Sequence, residues 1–164
     1  MDVTIRPMTD ADGPDVLAIY GQGIATGVAT FETAPPSWAE WDADHMPGCR
    51  LVATQGGTVA GWAALTAVSG RCVYRGVAEV SVYVRDGARG RGVGRALLAA
   101  LVEASEREGL WTLQAGIFAE NAASIELHRR SGFREVGRRE RLGALGDVWH
   151  DVVLLERRSP VVGS

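Results

Sequence analysis

Between Arg89 and Arg95 the chain reads RGRGVGR, glycine alternating with arginine. Glycines let a backbone turn tightly and bare its N-H groups, and a helix starting here would add the partial positive charge of its first turn. Together they suit a pyrophosphate, with arginine side chains adding charge-assisted hydrogen bonds. The alternative is a flexible strand-to-helix connection with solubilising arginines, and the loop alone leaves both open. It is not a dinucleotide fingerprint, because the sixth position counted from Gly90 or Gly92 is Arg95 or Leu97 where glycine is needed. All 17 basic residues are arginine, which excludes a P-loop, a pyridoxal Schiff base and any lysine nucleophile. Cys49 and Cys72 have no partners at metal-binding spacing, so no metal site and no disulfide framework is expected.

The elements around this loop follow from periodicity. Before it, VAEVSVYV alternates Ala78, Val80, Val82 and Val84 against Glu79, Ser81 and Tyr83, a strand with two unlike faces. After it, Ala96, Leu97, Ala100, Leu101 and Ala104 recur at helical spacing. Upstream, VTIRPMT reads as a strand and DVLAIYGQG as a helix. Ser37 caps a short helix whose Trp38 and Trp41 share a face, and Gly56-Gly57 joins two further strands. Downstream, WTLQAGIF is a strand, Asn121 is a helix N-cap, and Gly132 ends that helix. FREVGRRERL and DVWHDVVLLER are then two last strands around a loop. The order implies an α+β or mixed α/β sheet with helices on both faces.

At 164 residues the chain reads as a single domain over 1–158 with a frayed tail at 159–164. The net charge of −3 disfavours non-specific nucleic-acid binding. No basic segment precedes an apolar one at the start, and no apolar run is long enough to span a membrane. No membrane partner and a cytoplasmic location are therefore expected.

Arg89-x-x-Gly92-x-Gly94, between VSVYV and RALLAALVEA, resembles the acetyl-CoA motif of the GNAT N-acetyltransferases, Q/R-x-x-G-x-G/A. NAASIELHRRSGF resembles their second cofactor motif, and the order of elements matches from Thr4 to Arg157. FETAPPS, RCVYRGVAEVSVYV, IELHRRSGF and the late WHDV are similar to the phosphinothricin and methionine sulfone acetyltransferase branch. The resemblance implies a GNAT fold, a central mixed, mostly antiparallel sheet of about seven strands flanked by about four helices. It further implies acetyl-CoA as co-substrate, direct transfer in a ternary complex, a small-molecule amine of amino-acid type as acceptor, and a homodimer. A polyamine, aminoglycoside or protein N-terminus as acceptor, or a non-catalytic acyl-CoA sensor, are the alternatives.

Carried over residue by residue, the resemblance implies that backbone groups of Val82, Tyr83 and Val84 pair with the pantetheine arm. Arg89, Gly90, Arg91, Gly92, Val93, Gly94 and Arg95 hold the pyrophosphate. Asn121 bonds a pantetheine amide or is only a cap, and Ser124 faces the cofactor one turn on. Glu79 is the base that takes a proton from the cationic amine. His128 stands where many members carry a tyrosine that protonates the leaving thiolate, and is a cofactor ligand or acid. Arg71, helped by Tyr74, grips a substrate carboxylate, and Phe31 walls the side-chain pocket. Trp149-His150-Asp151 lines the site or a dimer contact.

Overall fold

The alternation in VAEVSVYV decides how the sheet is covered. In the computed structural model, which describes residues 2–164, the strands are β1 (Thr4–Pro7), β2 (Leu51–Gln55), β3 (Thr58–Ala67), β4 (Val77–Val84), β5 (Thr112–Phe118), β6 (Arg134–Leu145) and β7 (Val148–Arg158). They form one sheet in the order β1-β2-β3-β4-β5-β7-β6, in which only the β4–β5 pair is parallel. Ala78 and Val80 point to the face covered by α3 (Val93–Arg107) and α4 (Ala122–Arg130), in a core with Leu97, Leu101 and Phe133. Tyr83 packs on the opposite face, where Trp62 and Ala64 meet Val16 and Ile19 of α1 (Gly13–Ala25) and Trp41 of α2 (Trp38–Asp44). The expected mixed, mostly antiparallel sheet with four flanking helices is thus what the chain forms.

Local signals set the ends of these elements. The Ser37 Oγ accepts the Glu40 N-H at 3.2 Å and the Glu40 carboxylate accepts the Ser37 N-H at 3.1 Å, a reciprocal cap that starts α2. Trp38 and Trp41 then stack at 4.8 Å. Gly56 and Gly57 both take positive φ, as the tight hairpin between β2 and β3 requires.

The β4–β5 pair positions the site. It starts at Gly76, whose carbonyl accepts the N-H groups of Trp111 and Thr112 at 2.8 and 3.1 Å; a Cβ on Gly76 would lie 2.1 Å from the Trp111 ring. Only Val77↔Thr112, Ala78↔Leu113 and Glu79↔Gln114 pair before the strands part. Beyond that rung β4 pairs with β3 alone and β5 with β7 alone. The two strands open as a V, and α3 and α4 begin just past their far ends, a strand arrangement that favours ligand binding at its mouth.

The last two strands form around a loop as expected, and that loop is short: β6 runs on to Leu145 and turns at Gly146-Asp147. Extra residues are absorbed by a bulge between Arg139 and Gly143, which alternation alone does not reveal. The terminal segment packs back on the domain. Ser159 is buried and its hydroxyl is bonded to the Glu106 carboxylate, while the Arg158 guanidinium donates to the carbonyls of Val162 and Gly163 at 2.7 and 2.8 Å.

Candidate active site

The V opens into a cleft of about 890 Å³. Glu79, Val82, Tyr83, Val84, Arg89, Gly90, Gly92, Val93, Gly94, Arg95, Asn121, Ser124, His128 and Phe31 all line it, so one cavity gathers most of the residues singled out above. Arg91 does not line it, although it lies in the same loop.

At the mouth, Gly90 and Gly92 have φ of 75° and 84°, a left-handed conformation that L side chains rarely adopt, with open space where a Cβ would stand. Gly92 caps α3, so the N-H groups of Val93, Gly94 and Arg95 belong to the first turn and have no carbonyl of their own helix to bond. That is an anion cradle. Gly94 has a different reason to be small: a Cβ there would lie 3.2 Å from Leu127 Cδ2, so this glycine lets α3 and α4 approach. Arg89 is held against Asp86 at 3.0 Å and keeps its charge at the loop. Along the arm of the V, the side chains of Val82 and Val84 pack in the core, while the backbone edge of β4 toward β5 has no strand beside it.

Glu79 occupies the vertex. Its Oε1 accepts the Nε2-H of Gln114 at 3.0 Å, the two side chains meeting across the last parallel rung. Gln114 was not foreseen, yet it is the one side-chain amide in the mostly apolar run WTLQAGIF and is therefore visible once the strand is paired with VAEVSVYV. The Tyr83 ring stacks on Trp62 at 5.0 Å and fills the space over Gly23, where a Cβ would come within 2.6 Å; burial pushes its phenol well up, so it stays neutral.

Asn121 does cap α4, its Oδ1 accepting the Ser124 N-H at 3.2 Å, and its Nδ2 reaches the Val28 carbonyl at 3.5 Å. It thereby ties α4 to the loop between α1 and α2. Phe31, on that loop, packs on Phe118 at 4.5 Å and on His150, and its ring tip meets Gly143, where a Cβ would be 2.9 Å from the ring. His128 is buried, with Nδ1 2.7 Å from the Ser124 carbonyl. A carbonyl only accepts, so Nδ1 carries the proton; burial lowers the ring's pKa, leaving Nε2 a neutral acceptor. This geometry suits a ligand for a cofactor N-H better than an acid.

Arg71 and Tyr74 are not among the lining residues. Arg71 leads into a short turn, Cys72–Tyr74, with its guanidinium over the Tyr74 ring at 5.6 Å, and both residues are exposed. The turn stands just past the vertex, because Val77, two residues before Glu79, already bonds back to Val68. Of the WHD run, Trp149 is exposed, His150 is buried beside Phe118 and bonded to Glu120 at 3.1 Å, and Asp151 holds β6.

Comparison with known proteins gives the same outline. Residues 21–133 match the acetyltransferase (GNAT) family model. The chain is 35% identical to an L-methionine sulfoximine/L-methionine sulfone acetyltransferase of Pseudomonas paraeruginosa, over 95% of this chain and 94% of the relative. Among solved structures, it superposes with a TM-score of 0.90 and 33% identity on a GNAT superfamily phosphinothricin acetyltransferase from Sinorhizobium meliloti in complex with AcCoA, covering 99% of this chain and 91% of that one. A ribosomal-protein-alanine N-acetyltransferase from Brucella melitensis superposes with a TM-score of 0.87 and 36% identity, covering 95% of this chain and 99% of that one.

Proposed function

The chain belongs to the GNAT acetyltransferase family and is an N-acyltransferase, and from that premise we propose that it acetylates the α-amine of a small amino-acid-like acceptor of the phosphinothricin, methionine sulfone or methionine sulfoximine type. The observation that carries the reading is the Glu79–Gln114 pair at the vertex of a cleft whose mouth is the α3 anion cradle. Acetyl-CoA supplies the activated acyl carbon.

The residues present fit that group. The N-H groups at the start of α3, opened by Gly90 and Gly92, bind a pyrophosphate, and the free edge of β4 at Val82 to Val84 pairs with an amide-bearing arm. Glu79, oriented by Gln114, takes the proton that an ammonium must lose before it attacks. His128 Nε2 accepts from the cofactor side, and Asn121 orders the same wall. Transfer is direct: burial pushes the Cys49 thiol up to about 11, and Cys72 lies outside the cleft, so neither thiol is placed to carry an acyl group. Self-association through the β6–β7 hairpin, which exposes Val148 and Trp149, belongs to the same proposal.

A protein N-terminus is the second reading, supported by the likeness to the Brucella melitensis protein. Thiol release from acetyl-CoA, measured with phosphinothricin and methionine sulfone, with their α-methyl esters and with short peptides, separates the two. Efficient turnover of the free acids and weak turnover of esters and peptides is expected. Equal turnover of acid and ester, or a preference for peptides, overturns the amino-acid reading.

A further inference from the structure

The cleft face of the sheet changes character across its width. At the vertex it carries the Glu79–Gln114 pair. Next comes Gly116, exposed bare backbone, then an apolar stretch of Phe118, Phe31, Val152 and Leu142. Arg139 stands beyond, paired in register with Val152, which in turn pairs with Phe118. No hydrogen bond or ion pair ties the Arg139 side chain to another described residue, whereas those of Arg134 and Arg138 are bound to Glu156 and Asp151. The cleft's other lining arginines, Arg89 and Arg95, belong to the cofactor loop and the start of α3.

Arg139 is aimed there by the bulge. Arg139 pairs with Val152 and Gly143 with His150, so Glu140, Arg141 and Leu142 lie opposite Asp151 alone. Asp151 clamps the extra residues: its Oδ2 accepts from Arg138 Nε at 2.8 Å and its Oδ1 accepts the Arg141 N-H at 2.8 Å, with Arg141 in a left-handed conformation at φ 43°. Bulges re-aim side chains beside sites, and here the residues on either side of the clamp, Arg139 and Leu142, both line the cleft. Counting four residues along β5 and three strand spacings puts the Glu79 and Arg139 backbones about 20 Å apart. Both residues line the same cleft, so an extended acceptor and the long Arg139 side chain share that distance.

We propose that Arg139 is a specificity-determining residue that binds an oxygen-bearing group at the end of the acceptor remote from its amine, a phosphinate or sulfonyl type of group, with Phe31 and Leu142 enclosing the methylene stem between. This rests on the amino-acid reading above and adds the part of the acceptor that is recognised. A guanidinium offers a planar fork to such oxygens, strongest when they are charged.

The test compares wild type with Arg139→Leu and Arg139→Gln on three free amino acids: phosphinothricin, methionine sulfone and norleucine. Arg139 is exposed and without a partner, so both variants should fold, which an unchanged KM for acetyl-CoA verifies. For phosphinothricin kcat/KM should fall roughly 10- to 100-fold, for methionine sulfone less, and for norleucine not at all. Arg139→Lys should recover part of the phosphinothricin loss. Equal losses on all three acceptors, or none on phosphinothricin, overturn the inference while the amino-acid reading stands. Wild type inactive on all three overturns that reading, and the inference with it.

Discussion

Asp12→Asn should destabilise the fold by about 1 to 2 kcal/mol at pH 7, and the loss should fade on acidification. The Asp12 carboxylate is buried and accepts both Arg6 nitrogens at 2.8 Å each and the Thr9 N-H at 2.8 Å, joining β1 to the start of α1. These contacts, the Arg6 bonds foremost, hold its carboxyl at about 2 against an ordinary 3.8. At about 1.4 kcal/mol per unit the full shift is roughly 2.4 kcal/mol, and solvent around the 40% exposed Arg6 side chain trims it to the range given. The folded-state value is the depressed one, so the contribution is complete above the unfolded value near 3.8. It drains as pH falls toward about 2, because the unfolded chain takes the proton first. Urea unfolding of both proteins at pH 7 and in steps toward about pH 2 measures the difference. A gap that stays constant across that range, or none at pH 7, refutes the reasoning.

Glu79→Gln preserves shape and the bond from Gln114, so turnover should drop by roughly two to four decades with the acetyl-CoA KM unchanged; wild-type turnover at neutral pH would remove Glu79 as the base. Gly94→Leu should raise the acetyl-CoA KM by forcing Leu127 away and tilting the start of α3, and calorimetry showing wild-type affinity in a folded variant would contradict this. Gly143→Ala places a Cβ 2.9 Å from the Phe31 ring, an overpacking worth about 1 to 3 kcal/mol that should appear in the acceptor KM more than in the acetyl-CoA KM. Steady-state kinetics showing neither KM altered would mean that Phe31 does not shape the acceptor end.

What was legible in the sequence is what a single element encodes. The alternation of VAEVSVYV, the helical spacing after Val93, the Ser37 cap and the Gly56-Gly57 turn are each read within a few residues, and each formed as expected. The glycine-rich wall of the cleft was legible for the same reason, since RGRGVG joins one strand to one helix. The acceptor end draws on β4, β5, β6 and the α1–α2 loop, and its geometry depends on register. Gln114 matters only because it falls opposite Glu79, and Arg139 reaches the cleft only because three residues bulge opposite Asp151. Arg71 shows the reverse: it is close to Glu79 in sequence, but a short turn carries it off the cleft wall.

The three-rung junction between β4 and β5 also gives the sheet a mechanical character. It divides it into two panels, β1 to β4 and β5 to β7, joined along a short spine at one end. A small rotation of one panel about that spine hardly moves Glu79 and Gln114, which sit on it. The far end of β5, four residues out, is a lever about 13 Å long, so about 5° of rotation displaces it by roughly 1 Å. The width of the mouth can therefore adjust to what enters while the Glu79–Gln114 pair stays in register.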